Sequence, residues 1–151
     1  TFGARAAQRI HQIGRKVRPT GKPGIINHPF RNRLFGFKEQ LQQGVTPDID
    51  SFISRNDVAR MIDAAADYAL ALEVNQNDIL IAHELGDGPM VDLFARAVGL
   101  LVELGARMSF GSDMHHPQPE YPACVPAFVQ RVGLTAENIA PLVNQLAPQA
   151  R

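Results

Sequence analysis

The chain has little of three features that would restrict its class. Its 151 residues include one cysteine, Cys124, so neither an internal disulfide nor a thiolate metal cluster can form within one chain. No apolar run is long enough to span a bilayer, and residues 1–16 lack the continuous apolar segment of a signal peptide. These absences predict a cytoplasmic protein with no membrane segment, in which Cys124 is a small buried hydrophobe.

Several catalytic signatures are also missing from the sequence. It contains no glycine-rich phosphate loop, no G-x-S-x-G sequence, no Ser/His/Asp arrangement, no repeat of fixed period and no low-complexity tract. Nucleotide kinases and serine hydrolases are therefore weak candidates. What is present is 45% hydrophobic and 20% charged residues, a balance typical of a globular protein, and the length suits one domain over residues 1–151.

The net charge is zero, but the two signs of charge separate along the chain. Nine basic residues precede the first acidic residue, Glu39. They are Arg5, Arg9, Arg15, Lys16, Arg18, Lys22, Arg31, Arg33 and Lys38. Such a segment suits a nucleic-acid arm, a basic patch beside a site for an anionic substrate, or a solvated face. Because the net charge is neutral and no aromatic platform for bases is visible, we expect a small anionic substrate rather than nucleic acid.

The spacing of apolar residues predicts helices that alternate with strands. Helices are predicted over 2–14, 55–69, 87–106, 122–133 and 134–147, and strands over 22–29, 70–75 and 107–113. We expect the first helix to stop near Gly14, and Asn56 and Thr135 to cap the helices that follow them. Pro89 suits the first turn of its helix and Gly105 its end. The alternation indicates an α/β fold with parallel strands.

Each predicted strand ends in polar residues. These are Asn27 and His28 in the first strand, Glu73 and Asn75 in the second, and Asp113 and His115 in the third. Ligand sites of parallel α/β folds form at the carboxyl ends of the strands, so these side chains are expected to converge. Glu73 and Asn75 are two residues apart and should share one face of their strand.

Two imidazoles and one carboxylate, from His28, Asp113 and His115, suit zinc, manganese or iron. Three protein ligands with an open position are a catalytic arrangement, because the bound water is acidified and can attack. The same residues have plainer alternatives. His28 could cap the turn before Pro29, and Asp113 could cap a turn beside two surface histidines.

Four further side chains are candidates of lower rank. Arg31 and Arg33 follow His28 and would hold a phosphate bidentately or else be solvated. His116 follows His115 and, by strand alternation, should point the opposite way. His83 lies in "IAHELGDG", a loop-like and acidic setting in which it is expected to face solvent.

The segments "IINHPF", "ALEVNQ" and "FGSDMHHP", in this order and with helices between them, resemble the later motifs of the PHP domain. This is the polymerase and histidinol phosphatase superfamily of metal-dependent phosphoesterases. The resemblance runs from about Gly24 to the C-terminus and implies the C-terminal portion of a distorted (β/α)7 TIM-like barrel. It also implies a site that commonly holds two or three divalent ions.

By this resemblance, specific roles fall on the strand-end residues. His28, Asp113 and His115 match metal ligands, with Asp113 and His115 also taking part in catalysis. Glu73 and Asn75 match a motif beside the metals or the substrate, and we place Glu73, with Asn27, behind the ligands and Asn75, with Arg31 and Arg33, at the substrate.

The chain also departs from the family pattern. The early H-x-H pair and the further His and Glu ligands have no counterpart, because the first histidine is His11, inside a predicted helix. Three strands are readable where a closed barrel needs seven or eight. We therefore expect more protein to cover the open sheet, either an N-terminal part or a second copy of the chain.

The sequence thus predicts a metal-dependent hydrolase that acts on a small phosphorylated substrate through metal-activated water. The 151-residue chain alone is expected to be nearly inactive, since it lacks the family's other ligands. Two alternatives remain. One is a non-catalytic PHP-like regulatory or interaction module that binds a partner through the basic N-terminal segment, and the other is a PHP domain working beside a DNA polymerase.

Overall fold

A computed structural model describes residues 1–22, 24–113 and 122–139 of the chain. The helices are α1 (Phe2–Val17), α2 (Arg31–Gln42), α3 (Ile49–Phe52), α4 (Arg55–Ala66), α5 (Gln76–His83), α6 (Pro89–Glu103) and α7 (Cys124–Arg131). The strands are β1 (Gly24–Ile26), β2 (Leu70–Asn75) and β3 (Met108–Gly111). Short 3₁₀ turns follow α1 and α7, at Arg18–Thr20 and Ala136–Asn138.

The three strands form one parallel sheet in the order β1-β2-β3. Ile26 pairs with Leu72, and Leu72 pairs with Met108, so the carboxyl ends of all three strands lie at the same edge. The α/β class and the parallel direction of the strands are therefore confirmed. The sheet of the described residues is open, with β1 and β3 at its edges.

The two faces of β2 differ in chemistry. Leu70, Leu72 and Val74 are buried on one face in the main hydrophobic core, and α4 packs against this strand. The other face carries Glu73 and Asn75 at its carboxyl end, as period-2 alternation predicts. A strand with an apolar face and a polar end is suited to hold functional groups on a rigid support.

A glycine on the neighbouring strand makes room for one of these polar groups. Gly111 pairs with Asn75, and a Cβ atom at Gly111 would lie 2.6 Å from Oε1 of Glu73. Any larger residue at this position would therefore displace the Glu73 carboxylate.

Several helix ends agree with the sequence and two do not. Pro89 begins α6, Gly105 follows it with a positive φ of 68°, and Thr135 forms a capping box with Asn138. The first helix was expected to stop near Gly14, but α1 continues three residues further to Val17, and Gly14 lies against the Tyr68 ring. The expected cap Asn56 is wrong.

The cap of α4 is Ser54, whose side chain accepts a hydrogen bond from the backbone N–H of Asp57. Residues 140–147, the greater part of the last predicted helix, lie outside the described residues.

Three helices, α2, α3 and α5, were not predicted. In α5, the buried residues Ile79, Ile81 and Ala82 leave no clear polar stripe, so the apolar pattern lacks a helical period. His83 closes this helix and does not lie in a loop. Its side chain is 18% exposed, and its ring meets Phe128 edge to face with centroids 6.4 Å apart.

The sequence predicts that Cys124 is a buried hydrophobe and that the chain has no membrane segment. Cys124 is partly buried against the core rather than fully enclosed. Among the residues that the structure describes, no helix has both the length and the apolar character needed to cross a bilayer.

Candidate active site at the strand ends

Six side chains meet at the carboxyl edge of the sheet, and we refer to them as the strand-end cluster. They are His28, Arg31, Glu73, Asn75, Asp78 and Asp113. His28 follows β1, Glu73 and Asn75 end β2, and Asp113 follows β3. The predicted convergence of three strand ends is therefore present in the structure for the residues that it describes.

Asn75 is the centre of the cluster and is fully buried. Its Oδ1 accepts a hydrogen bond of 2.8 Å from the backbone N–H of Asp78, which makes Asn75 the N-cap of α5. Its Nδ2 donates to Oε2 of Glu73 at 3.1 Å and lies 2.6 Å from Nδ1 of His28. Since the cap fixes which end of the amide faces the helix, Nδ2 must face the imidazole and the carboxylate.

The orientation of Asn75 sets the tautomer of neutral His28. Nδ2 of an amide only donates, so Nδ1 of His28 must be the acceptor and its proton is assigned to Nε2. Nε2 lies 3.4 Å from Oδ2 of Asp113, so this tautomer directs its N–H toward that carboxylate. The carboxylates on the Nδ1 side are Glu73 at 3.6 Å and Asp78 at 3.9 Å.

Arg31 links two carboxylates of the cluster. Its Nε donates to Oδ1 of Asp78 at 2.6 Å and its Nη2 to Oδ2 of Asp113 at 2.8 Å. The hydrogen bond from Arg31 is the main cause that lowers the pKa of Asp113, with a further hydrogen bond from Asn77. Burial of Arg31 acts to lower the pKa of the guanidinium, but hydrogen bonds and attraction from Asp113 and Asp78 outweigh it and raise that pKa. Arg31 is thus held within the cluster.

Asp78 is a member of the cluster that sequence analysis missed. It is 1% exposed, and burial raises the pKa of its carboxyl group against the opposing effect of Arg31. The signal that could have found it is "NQND", an Asn followed three residues later by an acid, which is typical of a helix N-terminus. Because α5 was not predicted, that signal was not used.

The backbone is unusual at the two residues that face each other across the cluster. Among the described residues, only three other than glycine have a positive φ, and two of them are His28 at 51° and Asp113 at 49°. The left-handed region costs an L-residue about 1–2 kcal/mol, although Asp and His visit it more often than most residues. Outliers of this kind concentrate at functional sites.

Donor chemistry and spacing at His28 and Asp113 fit a divalent metal. Two ligand atoms that are each about 2.1 Å from one tetrahedral ion lie roughly 3.4 Å apart, and Nε2 of His28 and Oδ2 of Asp113 are 3.4 Å apart. Within the part of the chain that the structure describes, no third His, Cys, Asp or Glu completes a metal-holding group with this pair. The third predicted ligand, His115, lies outside the described residues.

Metal binding at Nε2 of His28 would require one exchange of hydrogen bonds. Nε2 would lose its proton, so Nδ1 would carry the proton and need an acceptor. Oε2 of Glu73, at 3.6 Å, is the nearest carboxylate oxygen to Nδ1, and a carboxylate in this position is the usual partner of a metal-bound imidazole. The Asn75 amide would have to withdraw from Nδ1 as Glu73 approaches.

Two of the predicted site residues lie beside the cluster. Arg33 donates to the Phe52 carbonyl and stacks on the Phe52 and Phe2 rings, 3.8 and 4.9 Å from their centroids. Asn27 is exposed, next to His28. Both line a groove between α1 and β1 that is open to solvent. The roles predicted for them in substrate binding and behind the ligands stay predictions.

Comparison with known proteins gives no relative for this chain. No family model, no curated protein and no solved structure matches it.

Proposed function

We propose that the protein is a metal-dependent hydrolase of the phosphoesterase type and that the chain forms the C-terminal part of a PHP-like barrel. The supporting features are the order of the three strand-end motifs and the parallel sheet that brings two of them together with the residues of β2. The substrate class we propose is a small phosphate ester.

One observation carries the proposal. Strands of a sheet are about 4.8 Å apart, so β1 and β3, with β2 between them, lie roughly 10 Å apart. Even so, Nε2 of His28 and Oδ2 of Asp113 come within 3.4 Å, and both residues adopt positive φ values. An imidazole and a carboxylate thus meet at one point, and both are carried by residues whose backbone conformation is locally unfavourable.

His28, Asp113 and His115 are the residues that would hold the metal. A divalent ion bound by them supplies an acidified water and neutralises charge on a phosphate ester. Glu73 would orient His28 through Nδ1, and Asn75 would keep Glu73 in place through its hydrogen bond of 3.1 Å. Arg31 would hold the Asp113 carboxylate and keep it ionised.

A second candidate is the non-catalytic module, and the position of Arg31 favours it. Its guanidinium already lies between Asp78 and Asp113, at 2.6 and 2.8 Å, and compensates the charge that would attract a metal. A cluster neutralised in this way can serve only to fix the strand ends, with binding carried out elsewhere on the molecule.

Hydrolysis of p-nitrophenyl phosphate and bis-p-nitrophenyl phosphate, by the natural protein loaded with manganese or zinc, separates the two candidates. We expect turnover that Asp113→Asn abolishes while the circular dichroism spectrum is unchanged. The control is Glu39→Gln, at an exposed residue of α2 outside the cluster and the groove beside it, which should retain activity. Absence of both bound metal and turnover in a folded wild-type protein would favour the non-catalytic module.

A further inference from the structure

A groove of about 810 Å³ lies between α1 and β1 and reaches the strand-end cluster. Its lining includes His28 and Arg31 at the cluster and Arg5 and Arg9 on α1. A ligand in the groove would therefore have one end at His28 and could extend along α1 away from the sheet edge.

The inner wall of the groove is apolar. Ile10, Ile26 and Met61 are buried at its base, and Ile13 of α1 is partly buried beside them. On the β1 side, Ile25 is 40% exposed and adds a further apolar surface to the lining. An apolar wall of this kind favours a ligand with an apolar body.

The outer rim of the groove is basic. Arg5 and Arg9 are exposed and four residues apart on α1, so their Cα atoms are separated by about 6 Å along one side of the helix. The ion pairs of the described residues include neither of them, and no acidic residue is found among the groove's described lining. Arg33 lies nearby. Its burial and repulsion from Arg5 lower the pKa of the Arg33 guanidinium, and attraction by Asp57 opposes this shift.

We propose that this groove binds the leaving-group part of the substrate, which we infer to be an organic phosphate with an apolar body and a second anionic group held between Arg5 and Arg9. This inference rests on the proposed function, because the first phosphate is placed at the strand-end cluster. The second anion is specified by two guanidinium groups one helical turn apart, which form no ion pair with any residue that the structure describes. The body is specified by the apolar wall between them and His28.

Titration of the metal-free chain with three probes tests the groove directly, by calorimetry or by amide chemical shifts. The probes are 1,6-hexanediol bisphosphate, hexyl phosphate, which lacks the second anion, and 1,6-hexanediol, which lacks both. We expect the bisphosphate to bind at least tenfold more tightly than hexyl phosphate, and the diol not to bind measurably. The double variant Arg5→Gln/Arg9→Gln should bind the bisphosphate no better than hexyl phosphate.

A matched control is Arg15→Gln/Arg18→Gln, which removes two exposed charges from the end of the same helical segment outside the groove. It should keep the tenfold preference. Equal losses in both double variants would mean nonspecific attraction and overturn the proposal. If bisphosphate binding weakens as the protein concentration rises, and sedimentation velocity shows a dimer, a second copy of the chain occupies the groove. That result would also overturn the proposal.

The variant Asp113→Asn distinguishes failure of the groove from failure of the proposed function. The preference for the bisphosphate should persist in this variant, since it compares two probes that place the same phosphate at the cluster and differ only in the anion held by Arg5 and Arg9. If the natural protein shows no hydrolysis but the preference persists, the proposed reaction fails and the binding site stands. If hydrolysis occurs without any preference for the bisphosphate, the groove proposal fails alone.

Discussion

At the scale of single residues, Asn75 connects the backbone of one helix to the side chains of two strands. Its amide oxygen caps α5, and its amide nitrogen contacts both His28 and Glu73. A leucine or alanine here could continue the apolar pattern of β2 but could satisfy none of these groups. The loss in free energy of unfolding when Asn75 is replaced therefore measures how strongly its hydrogen bonds stabilise the cluster.

Asn75→Ala should lower the free energy of unfolding by about 1–3 kcal/mol, because it removes a helix cap and leaves buried polar groups unpaired. Urea denaturation followed by circular dichroism measures the change. Asn56→Ala is the control, because Asn56 is exposed and does not cap α4, and it should stay within about 0.5 kcal/mol of wild type. Similar values for the two variants would show that the Asn75 network contributes little.

Asp57 is a second residue whose contacts join distant parts of the chain. Its Oδ1 accepts from the backbone N–H of Gly3 and its Oδ2 from the Ser54 hydroxyl, both at 2.8 Å. Burial acts to raise the pKa of this carboxyl group, but the hydrogen bonds from Ser54 and Gly3 outweigh it and the pKa is lowered. The ionised form is therefore the one that stabilises the contact between α1 and α4.

Because the pKa of Asp57 is lowered in the folded state, its ionised carboxylate stabilises the protein at pH values above the unfolded pKa of about 4. This contribution is lost as the pH falls through the pKa that Asp57 has in the folded protein. Wild type should be more stable than Asp57→Asn at pH 7, and the gap should shrink as the pH falls below about 4 and Asp57 becomes protonated in the folded state. Urea denaturation across this range checks it, with the exposed Asp63→Asn as control. A gap that persists unchanged at low pH would contradict this assignment.

At the scale of the elements, α1 shows how packing decides the meaning of a glycine. Gly14 and Gly99 both lie inside helices, so helix propensity alone predicts that alanine stabilises either position. A Cβ atom at Gly14 would lie 2.2 Å from Cγ of the Tyr68 ring, whereas nothing lies within 4 Å of one at Gly99. The two substitutions should therefore act in opposite directions.

Gly14→Ala should lower the midpoint of thermal unfolding, with a cost of about 1–3 kcal/mol from overpacking. Gly99→Ala should raise it, with a gain of about 0.5–1 kcal/mol. Differential scanning calorimetry of the two variants beside wild type measures both shifts. A stabilising effect of alanine at both positions would mean that Tyr68 moves away freely.

The elements that the sequence predicted well are those with a strong period or a marked end. The strand 70–75 and the helix from Pro89 have both, and their bounds were close to those observed. The helices α2 and α5 were missed because their apolar residues do not form one clear stripe. Gly14 packs against Tyr68, which lies 54 residues later in the chain, and a local sequence pattern cannot predict such a contact.

At the scale of the whole molecule, the parallel sheet follows from the alternation of helices and strands, and the meeting of the strand ends follows from the sheet. Which carboxylates would join His28 could not be read in the same way. Asp78 depends on an unpredicted helix, and the bridge from Arg31 to Asp78 and Asp113 depends on the angle at which α2 leaves β1. The ion pairs of Arg31 with Asp113, a predicted metal ligand, and with Asp78 were therefore not predicted.

The two edges of the sheet bear on assembly. The groove lies beside β1, while β3 presents Phe110, which is 37% exposed, at the other edge. On the outer side of β3, Met108 bridges to Ile139, while Phe110 lies exposed at the edge of the described sheet. We expect the isolated 151-residue chain to associate through β3, because an exposed aromatic residue on an edge strand favours pairing. Light scattering should report a particle larger than a monomer, which Phe110→Thr shifts toward monomer.

The control for association is Phe35→Thr, at an exposed phenylalanine that belongs to α2 and not to β3. It should leave the particle size unchanged. A stable monomer of the wild-type chain would contradict the expectation that more protein covers the sheet.

The metal site proposed at His28 and Asp113 can be tested by calorimetric titration of the chain with Zn²⁺. We predict a site in wild type whose affinity falls at least tenfold in His28→Gln and in Asp113→Asn, because each change removes a ligand. The control His11→Gln, on α1, should bind as wild type does. Equal zinc binding by all four proteins, or none by wild type, would contradict the claim.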